Sequence, residues 1–349
     1  MAAIGRTNTL VDVPGLAVGH AAVAGDGALS GTTVVLPDPA LEGGGAVAGV
    51  DVRGGGPGTR ETDALDPRTL VERVHAVVLT GGSAYGLAAA SGVADALGVL
   101  GRGLPVGPGP GEVVPVVPAA VIFDLGRGGR FTARPDAALG VEALAVSSTA
   151  PVTQGVVGAG TGAIVGGLKG GVGSASAVLA DGSTVAALVV VNAAGSAVDP
   201  ATGELWGARH RLEGDAVGPR LPTDPAELDD LRARLAALAA PPALNTTIGV
   251  VATDATLGVA QCAKLAAVGH DGLARALRPV HGMTDGDTLF GLSTTRAPAP
   301  GGLAGVNTLL AAGADVVTRA VVHAVLAART VDTPAGTWTS YRDVVAPGS

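Results

Sequence analysis

Residues 244–255 read Leu244-Asn245-Thr246-Thr247-Ile248-Gly249-Val250-Val251-Ala252-Thr253-Asp254-Ala255. A small polar run passes directly into β-branched and apolar residues, so 246–252 is predicted as a short buried strand. Just upstream, residues 226–240 (AELDDLRARLAALAA) place Leu228, Leu231, Leu235 and Leu238 on one helical face, and Pro241-Pro242 stops that helix. Downstream, Thr253-Asp254 is expected to cap a helix over about 257–278, residues 288–294 to return as a strand, and 307–328 to form a last long helix. Helices that alternate with buried strands in this order have to be layered on a sheet.

The amino-terminal part carries the same pattern. A strand over 74–79 ends at Gly81-Gly82-Ser83 and leads into Ala-rich residues 84–100, predicted helical. Residues 113–124 (VVPVVPAAVIFD) are expected to be extended, because prolines and β-branched residues disfavour helix. A glycine-rich stretch, 155–175, precedes the apolar run 185–191, a buried strand. No internal repeat and no linker-like shift in composition interrupts the chain. The residues therefore imply one layered α/β domain with helices flanking a sheet or a pair of sheets, and leave the strand order open.

Of 349 residues, 47% are hydrophobic and 15% charged, which describes a packed core despite 56 glycines and 23 prolines. Aromatic residues make up only 2%, so Ala, Val and Leu must fill that core, with glycines allowing close backbone approach. A net charge of −8 without a Lys/Arg cluster removes the footprint of a nucleic-acid binder. The single cysteine, Cys262, excludes an intramolecular disulfide and a multi-cysteine zinc site, and reads as buried filler. The opening MAAIGRTNTLVDVPG lacks the marks of a signal peptide, and the uncharged stretch 143–168 is too rich in Ser, Thr, Pro and Gly for a membrane span. A soluble cytoplasmic protein without a membrane or nucleic-acid partner is expected.

Four constellations could carry chemistry. Asn245-Thr246, between a helix stop and a strand, could present a nucleophile, although an isolated Asn-Thr pair is ordinary turn chemistry. Asp285-Gly286-Asp287 puts two carboxylates at period-2 spacing, where they can orient a hydroxyl and an amine and lift one another's pKa; an isolated DGD is otherwise a solvated turn. His281 nearby makes a metal site conceivable, but no HExxH or second histidine cluster supports it. Gly158 to Ala163 fits G-x-G-x-x-A without a following helix; Lys169 then either supplies one positive charge to a site or is a surface lysine on a turn. Gly81-Gly82-Ser83-Ala84-Tyr85 is placed like a nucleophile elbow, but its G-x-S-x-G spacing fails at Tyr85, which demotes Ser83.

In order, GTTVVLPD at 31–38, RGGGPGTRETDALDP at 53–67, GGSAYGL at 81–87, VPAAVIFDLG at 117–126, GAGTGAIVGGLKGG at 158–171, VVVNAAG at 189–195, NTTIGVVATDA at 245–255 and DGDTLF at 285–290 resemble the L-aminopeptidase/D-amino-acid esterase family of self-processing hydrolases, which includes β-aminopeptidases and nylon-oligomer hydrolases. The resemblance covers nearly the whole chain. It implies a single-domain, four-layer αββα sandwich of the N-terminal-nucleophile type, cleaved into residues 1–245 and 246–349 and assembled as a tetramer, with no cofactor and no metal. It further implies that Thr246, once freed from Asn245, is the nucleophile on the amide bonds of small peptides or amino-acid amides. Lys169 and Asn192 would stabilise the oxyanion, Asp285 and Asp287 would orient the threonine and its amine, and Tyr85 and Phe123 would meet the substrate. Thr with an Asp/Asp pair is similar to the nylon-oligomer (6-aminohexanoate) hydrolases, whereas PGTRETD is similar to the aminopeptidase branch. Phe123 stands where some relatives have a tyrosine, so one oxyanion donor is missing. The competing reading from another class is an unprocessed, non-catalytic small-molecule-binding protein.

Overall fold

The computed structural model describes residues 2–109, 111–238 and 244–347. Eleven strands build two sheets. The six-stranded sheet runs β8 (Gly171–Val178), β9 (Thr184–Val191), β10 (Ile248–Ala255), β11 (Thr288–Ala297), β3 (Ala46–Val52), β5 (Arg73–Val74), and only the β10–β11 pair is parallel. The five-stranded sheet runs β1 (Leu16–Ala22), β2 (Gly31–Pro37), β6 (Val77–Thr80), β7 (Ala119–Val121), β4 (Thr59–Arg60), parallel only at β6–β7.

Period-2 alternation assigns each strand face to a layer. Ile248, Val250 and Ala252 enter the core between the sheets with Leu188, Val190 and Phe290, against Val35, Leu79 and Ile122 of the other sheet. Val251 and Val189 face the opposite way, onto Leu265 of α4 (Val259–Ala276) and Val317 of α5 (Gly302–Ala327). A third core packs Val34 and Val78 against Val93 of α1 (Ala88–Val99) and Ala143 of α2 (Ala137–Ala145). Three cores between four layers make an αββα sandwich. Helices lie directly on strands where glycine permits it: a Cβ on Gly291 would sit 2.0 Å from the Cys262 carbonyl oxygen, and one on Gly173 1.9 Å from that of Ala320. Cys262 is buried in α4 as expected, and burial pushes its thiol up to about 12.

Several expectations need correction. The run 74–79 is not one strand; Arg73–Val74 pairs with β3 in one sheet while Val77–Thr80 joins the other, so the chain crosses layers at this point. Thr253 and Asp254 do not cap a helix. They stay in β10, where the Asp254 carboxylate accepts the Thr184 backbone N–H at 2.7 Å. The helix begins after Gly258, whose N–H is accepted by the Gln261 side chain at 3.0 Å. The helix predicted over 226–240 is α3 (Pro225–Ala236), N-capped by Asp224, and the Pro241-Pro242 stop lies outside the described residues. The last long helix, α5, is present as expected but starts at Gly302, and only the short helix Tyr341–Val345 follows it. Helix α5 is long and apolar enough to cross a membrane, yet it lies in the core, and its Arg319 forms a buried ion pair with Asp215 at 2.6 Å.

Candidate active site

Strand register brings the site together. Because β10 and β11 are parallel with Ile248 opposite Thr288, their lead-in residues 245–247 and 285–287 run side by side. Because β9 is antiparallel to β10 with Val190 opposite Ile248, the residue leaving β9, Asn192, lands beside the residue entering β10. The Thr246 N–H accordingly donates to the Asn192 carbonyl at 2.7 Å, and the Thr247 N–H to Asp287 Oδ1 at 2.6 Å. Asn192, Asn245, Thr246, Asp285 and Asp287 are all buried. The Thr246 hydroxyl donates to the carbonyl oxygen of Asn245, across the bond that joins the two residues.

Neither carboxylate is a solvated turn group. Asp285 accepts the N–H of Ala194 at 3.1 Å and of Gly282 at 3.2 Å; burial, aided by the charge of Asp287, raises its pKa. Asp287 accepts the backbone N–H of His281 at 3.2 Å and its Nδ1–H at 2.7 Å. Between them, Gly286 lies flat against the nucleophile candidate: a Cβ there would be 2.8 Å from Thr246 Oγ1 and 2.7 Å from the Gly56 carbonyl oxygen. The RGGGPG segment clasps this loop from outside, with Arg53 N–H on the Asp287 carbonyl and Gly56 N–H on that of Asp285. The adjoining TRETD residues brace the fold instead, Glu61 accepting the Val117 N–H at 2.8 Å.

Arg127 is the residue that sequence reasoning missed. Its guanidinium is buried and donates to the Gly162 carbonyl at 2.8 Å, to Asn192 Oδ1, and to Asn245 Oδ1 at 3.1 Å. The Ile164 N–H also donates to Asn192 Oδ1, at 3.0 Å. Two donors on one oxygen fix the orientation of the Asn192 amide and turn its NH2 to the other side, where it reaches the Phe123 carbonyl at 3.4 Å. Burial lowers Arg127 to about 10, opposed by the nearby Asp124, so the guanidinium keeps its charge at neutral pH. No spacing signal could have found it. Its partners lie 35 to 118 positions away in sequence.

Lys169 is buried as well and not a surface lysine, but its Nζ donates to the carbonyls of Gly160, Ala163 and Gly170 at 3.1, 2.7 and 2.9 Å. Three carbonyls take all three hydrogens of an ammonium. Lys169 therefore joins the site through the 160–164 turn, which holds Arg127 by Gly162 and Asn192 by Ile164. Burial, with Arg127 nearby, drives its pKa well below the usual lysine value.

A cavity of about 130 Å³ opens onto Asn245 and Thr246, lined also by Pro57, Gly58, Ser83, Val121 and Phe123 and by no charged side chain. Phe123 lines this cavity, whereas Tyr85 is exposed outside it, with the Arg134 guanidinium 3.7 Å over its ring. Among the described residues, no base hydrogen-bonds the Ser83 hydroxyl, and no three His, Cys, Asp or Glu side chains gather to hold a metal.

The sequence profile of Peptidase family S58 matches residues 8–339. The chain is 48% identical to an uncharacterized aminopeptidase of Mycobacterium bovis, covering 98% of this chain and 99% of that one. It is 32% identical to a 6-aminohexanoate-oligomer endohydrolase of a Kocuria strain over 85% of this chain and 78% of the relative. A β-aminopeptidase of Burkholderia superposes over 97% of this chain and 92% of its own with a TM-score of 0.74 at 24% identity. The L-aminopeptidase D-Ala-esterase/amidase of Ochrobactrum anthropi, described as a variant of the Ntn hydrolase fold, does so over 99% and 93% with a TM-score of 0.70 at 22% identity. At those identities the two structures speak for the fold, and they agree with the αββα sandwich.

Proposed function

This chain belongs to Peptidase family S58, and from that premise we propose that it cuts its own Asn245–Thr246 bond and then uses Thr246 as an N-terminal nucleophile. The enzyme is an aminopeptidase/amidase, a hydrolase of amide bonds. The observation that carries the self-cleavage reading is the Thr246 hydroxyl seated on the Asn245 carbonyl inside a buried, hydrogen-bonded site. Attack of Oγ on the Asn245 carbonyl carbon, with protonation and departure of the Thr246 nitrogen, converts the amide to an ester. Water then releases residues 1–245 and 246–349.

The freed α-amine, of ordinary pKa about 8, takes the hydroxyl proton in each later turnover. The Asn192 carbonyl, which already accepts the Thr246 N–H, holds that amine. We assign the oxyanion donor to the Asn192 amide, oriented by Arg127 and Ile164. Asp285 and Asp287 fix the loops on either side, and Lys169 acts by bracing the turn that carries Arg127 and Asn192. Phe123 contributes no hydroxyl, so the oxyanion rests on fewer donors than in relatives with tyrosine there. An oligomer of cleaved protomers, a tetramer, in the cytoplasm completes the reading.

Intact mass of the purified protein tests it: two fragments divided at Asn245, and one uncut, inactive chain for Thr246→Ala. An uncut wild type that hydrolyses aminoacyl amides would overturn it. The uncharged cavity and the 32% identity to an oligomer endohydrolase favour a second substrate, 6-aminohexanoate oligomers. Turnover of an aminoacyl p-nitroanilide against that of such an oligomer decides between them. The idea of a non-catalytic binding protein has no support in the matches.

A further inference from the structure

The side chain of Asn245 has a hydrogen-bond donor of its own, as its carbonyl has. Arg127 Nη2 donates to Asn245 Oδ1 at 3.1 Å while Nη1 of the same guanidinium serves Gly162 and Asn192. The cavity onto which Asn245 opens is lined by small, apolar and hydroxyl-bearing residues, and the Arg127 guanidinium, outside that lining, is the charged donor that the Asn245 side chain meets.

The ester formed in self-cleavage is Asn245 acylated onto Thr246 Oγ. An external aminoacyl amide, R–NH–CO–CH(NH2)–R′, forms the same kind of species: Oγ bonds the carbonyl carbon, the C–N bond breaks, and the amine leaves with the proton that the hydroxyl gave up. Water then hydrolyses the ester and frees the amino acid. The place of Asn245 in the intact chain is thereby the acyl subsite of the processed enzyme. Once Asn245 withdraws as a new C-terminus, Nη2 loses its acceptor inside a buried site. A γ-oxygen on the incoming residue replaces it, whereas an aliphatic side chain of equal size leaves a charged donor unpaired.

Resting on the self-cleavage reading above, we propose that Arg127 makes the acyl subsite selective for aminoacyl amides whose first residue carries a γ-carbonyl or γ-carboxylate, asparaginyl or aspartyl. Arg127 is the specificity-determining residue. The neutral and the charged acceptor share its chemistry, and the assay separates them.

The experiment uses the processed protein with L-asparaginyl, L-aspartyl and L-leucyl p-nitroanilides, asparagine and leucine being close in size. Expected is a kcat/KM for one or both γ-oxygen substrates that exceeds leucyl by on the order of tenfold or more, with Arg127→Met collapsing the ratio toward one. A leucyl rate equal to or above both, or a ratio unmoved in the variant, overturns the proposal. The ratio is read because Arg127 also holds Asn192, so absolute rates will fall. Should Arg127→Met fail to fold or process, product inhibition of the wild type serves: stronger inhibition by free L-asparagine or L-aspartate than by L-leucine supports the subsite, and equal inhibition overturns it. An uncut chain inert toward every aminoacyl amide counts against self-cleavage itself. A cut, active enzyme with flat preference counts against the subsite alone.

Discussion

His281 Nδ1 donates to Asp287 Oδ2 at 2.7 Å, while the other oxygen of Asp287 takes the backbone N–H of Thr247 at 2.6 Å. One buried carboxylate thus ties the loop before β11 to the residue that follows Thr246. His281 holds a left-handed backbone with φ of 59°, and its ring stands edge-on to that of His270 at 4.8 Å. A bulky residue in that conformation persists when the surroundings over-determine it.

Replacing His281 by glycine removes the imidazole, keeps the backbone N–H on Asp287 and eases the φ requirement. Loss of one hydrogen bond to a charged group predicts a fall in kcat on the order of tenfold, with slower self-cleavage and a smaller change in KM. Steady-state kinetics with a mass-based processing time course measure it. Unchanged kcat and unchanged processing would show that Asp287 needs only its backbone donors.

At Gly286 the space beside Thr246 Oγ1 is already filled. Gly286→Ala places a methyl 2.8 Å from that oxygen and 2.7 Å from the Gly56 carbonyl, so the loop or the hydroxyl must shift. A displacement of even 1 Å at a reacting atom costs about a hundredfold in rate. The expected result is a folded protein, by circular dichroism, that stays largely uncut over the period in which the wild type processes fully. Normal processing would place the attacking hydroxyl elsewhere.

Asp124 gives a pH signature. Burial raises its carboxyl from 3.8 to about 6, against the opposing effects of the Gly82 N–H and Arg127. Between those values the folded chain binds more protons than the unfolded one, so this group's contribution to stability falls as pH rises from about 4 to about 6 and is flat above. Asp124→Asn is neutral throughout. The stability of the variant relative to wild type should therefore climb across that window by on the order of 3 kcal/mol, from a shift of about two units. Urea denaturation of both proteins at several pH values measures it, and other titrating groups cancel in the difference. A difference that does not vary with pH would mean that Asp124 stays ionised in the fold.

Much of the site could be read along the chain because it is built from strand ends. Thr246, Asn192 and the Asp285-Asp287 pair each begin or end a run of apolar or β-branched residues, and a side chain at such a boundary is held by the sheet while its neighbours remain free to do chemistry. The resemblance of eight ordered segments supplied the layers, which period-2 alternation alone left open between one sheet and two.

Other features depend on distance in space and have no trace in local pattern. The run 74–79 looks like one strand from its residue types; only the packing of two sheets divides it at residues 75 and 76. Thr253-Asp254 has the composition of a helix cap, but Thr184 across the sheet claims the carboxylate first. Lys169 could be read as a site charge or a surface lysine, and the resemblance placed it beside Thr246; in the fold three carbonyls of a glycine turn hold its hydrogens. Residue types along the chain located most of the apolar strands and the polar residues at their ends, since those follow from local conformation and period; that Thr246 and the two carboxylates belong to one site came from the resemblance. Tertiary structure alone decided that Arg127 meets Asn192 and Asn245, because a buried charge is satisfied by whatever acceptors folding brings within hydrogen-bonding distance, however far apart they lie in sequence.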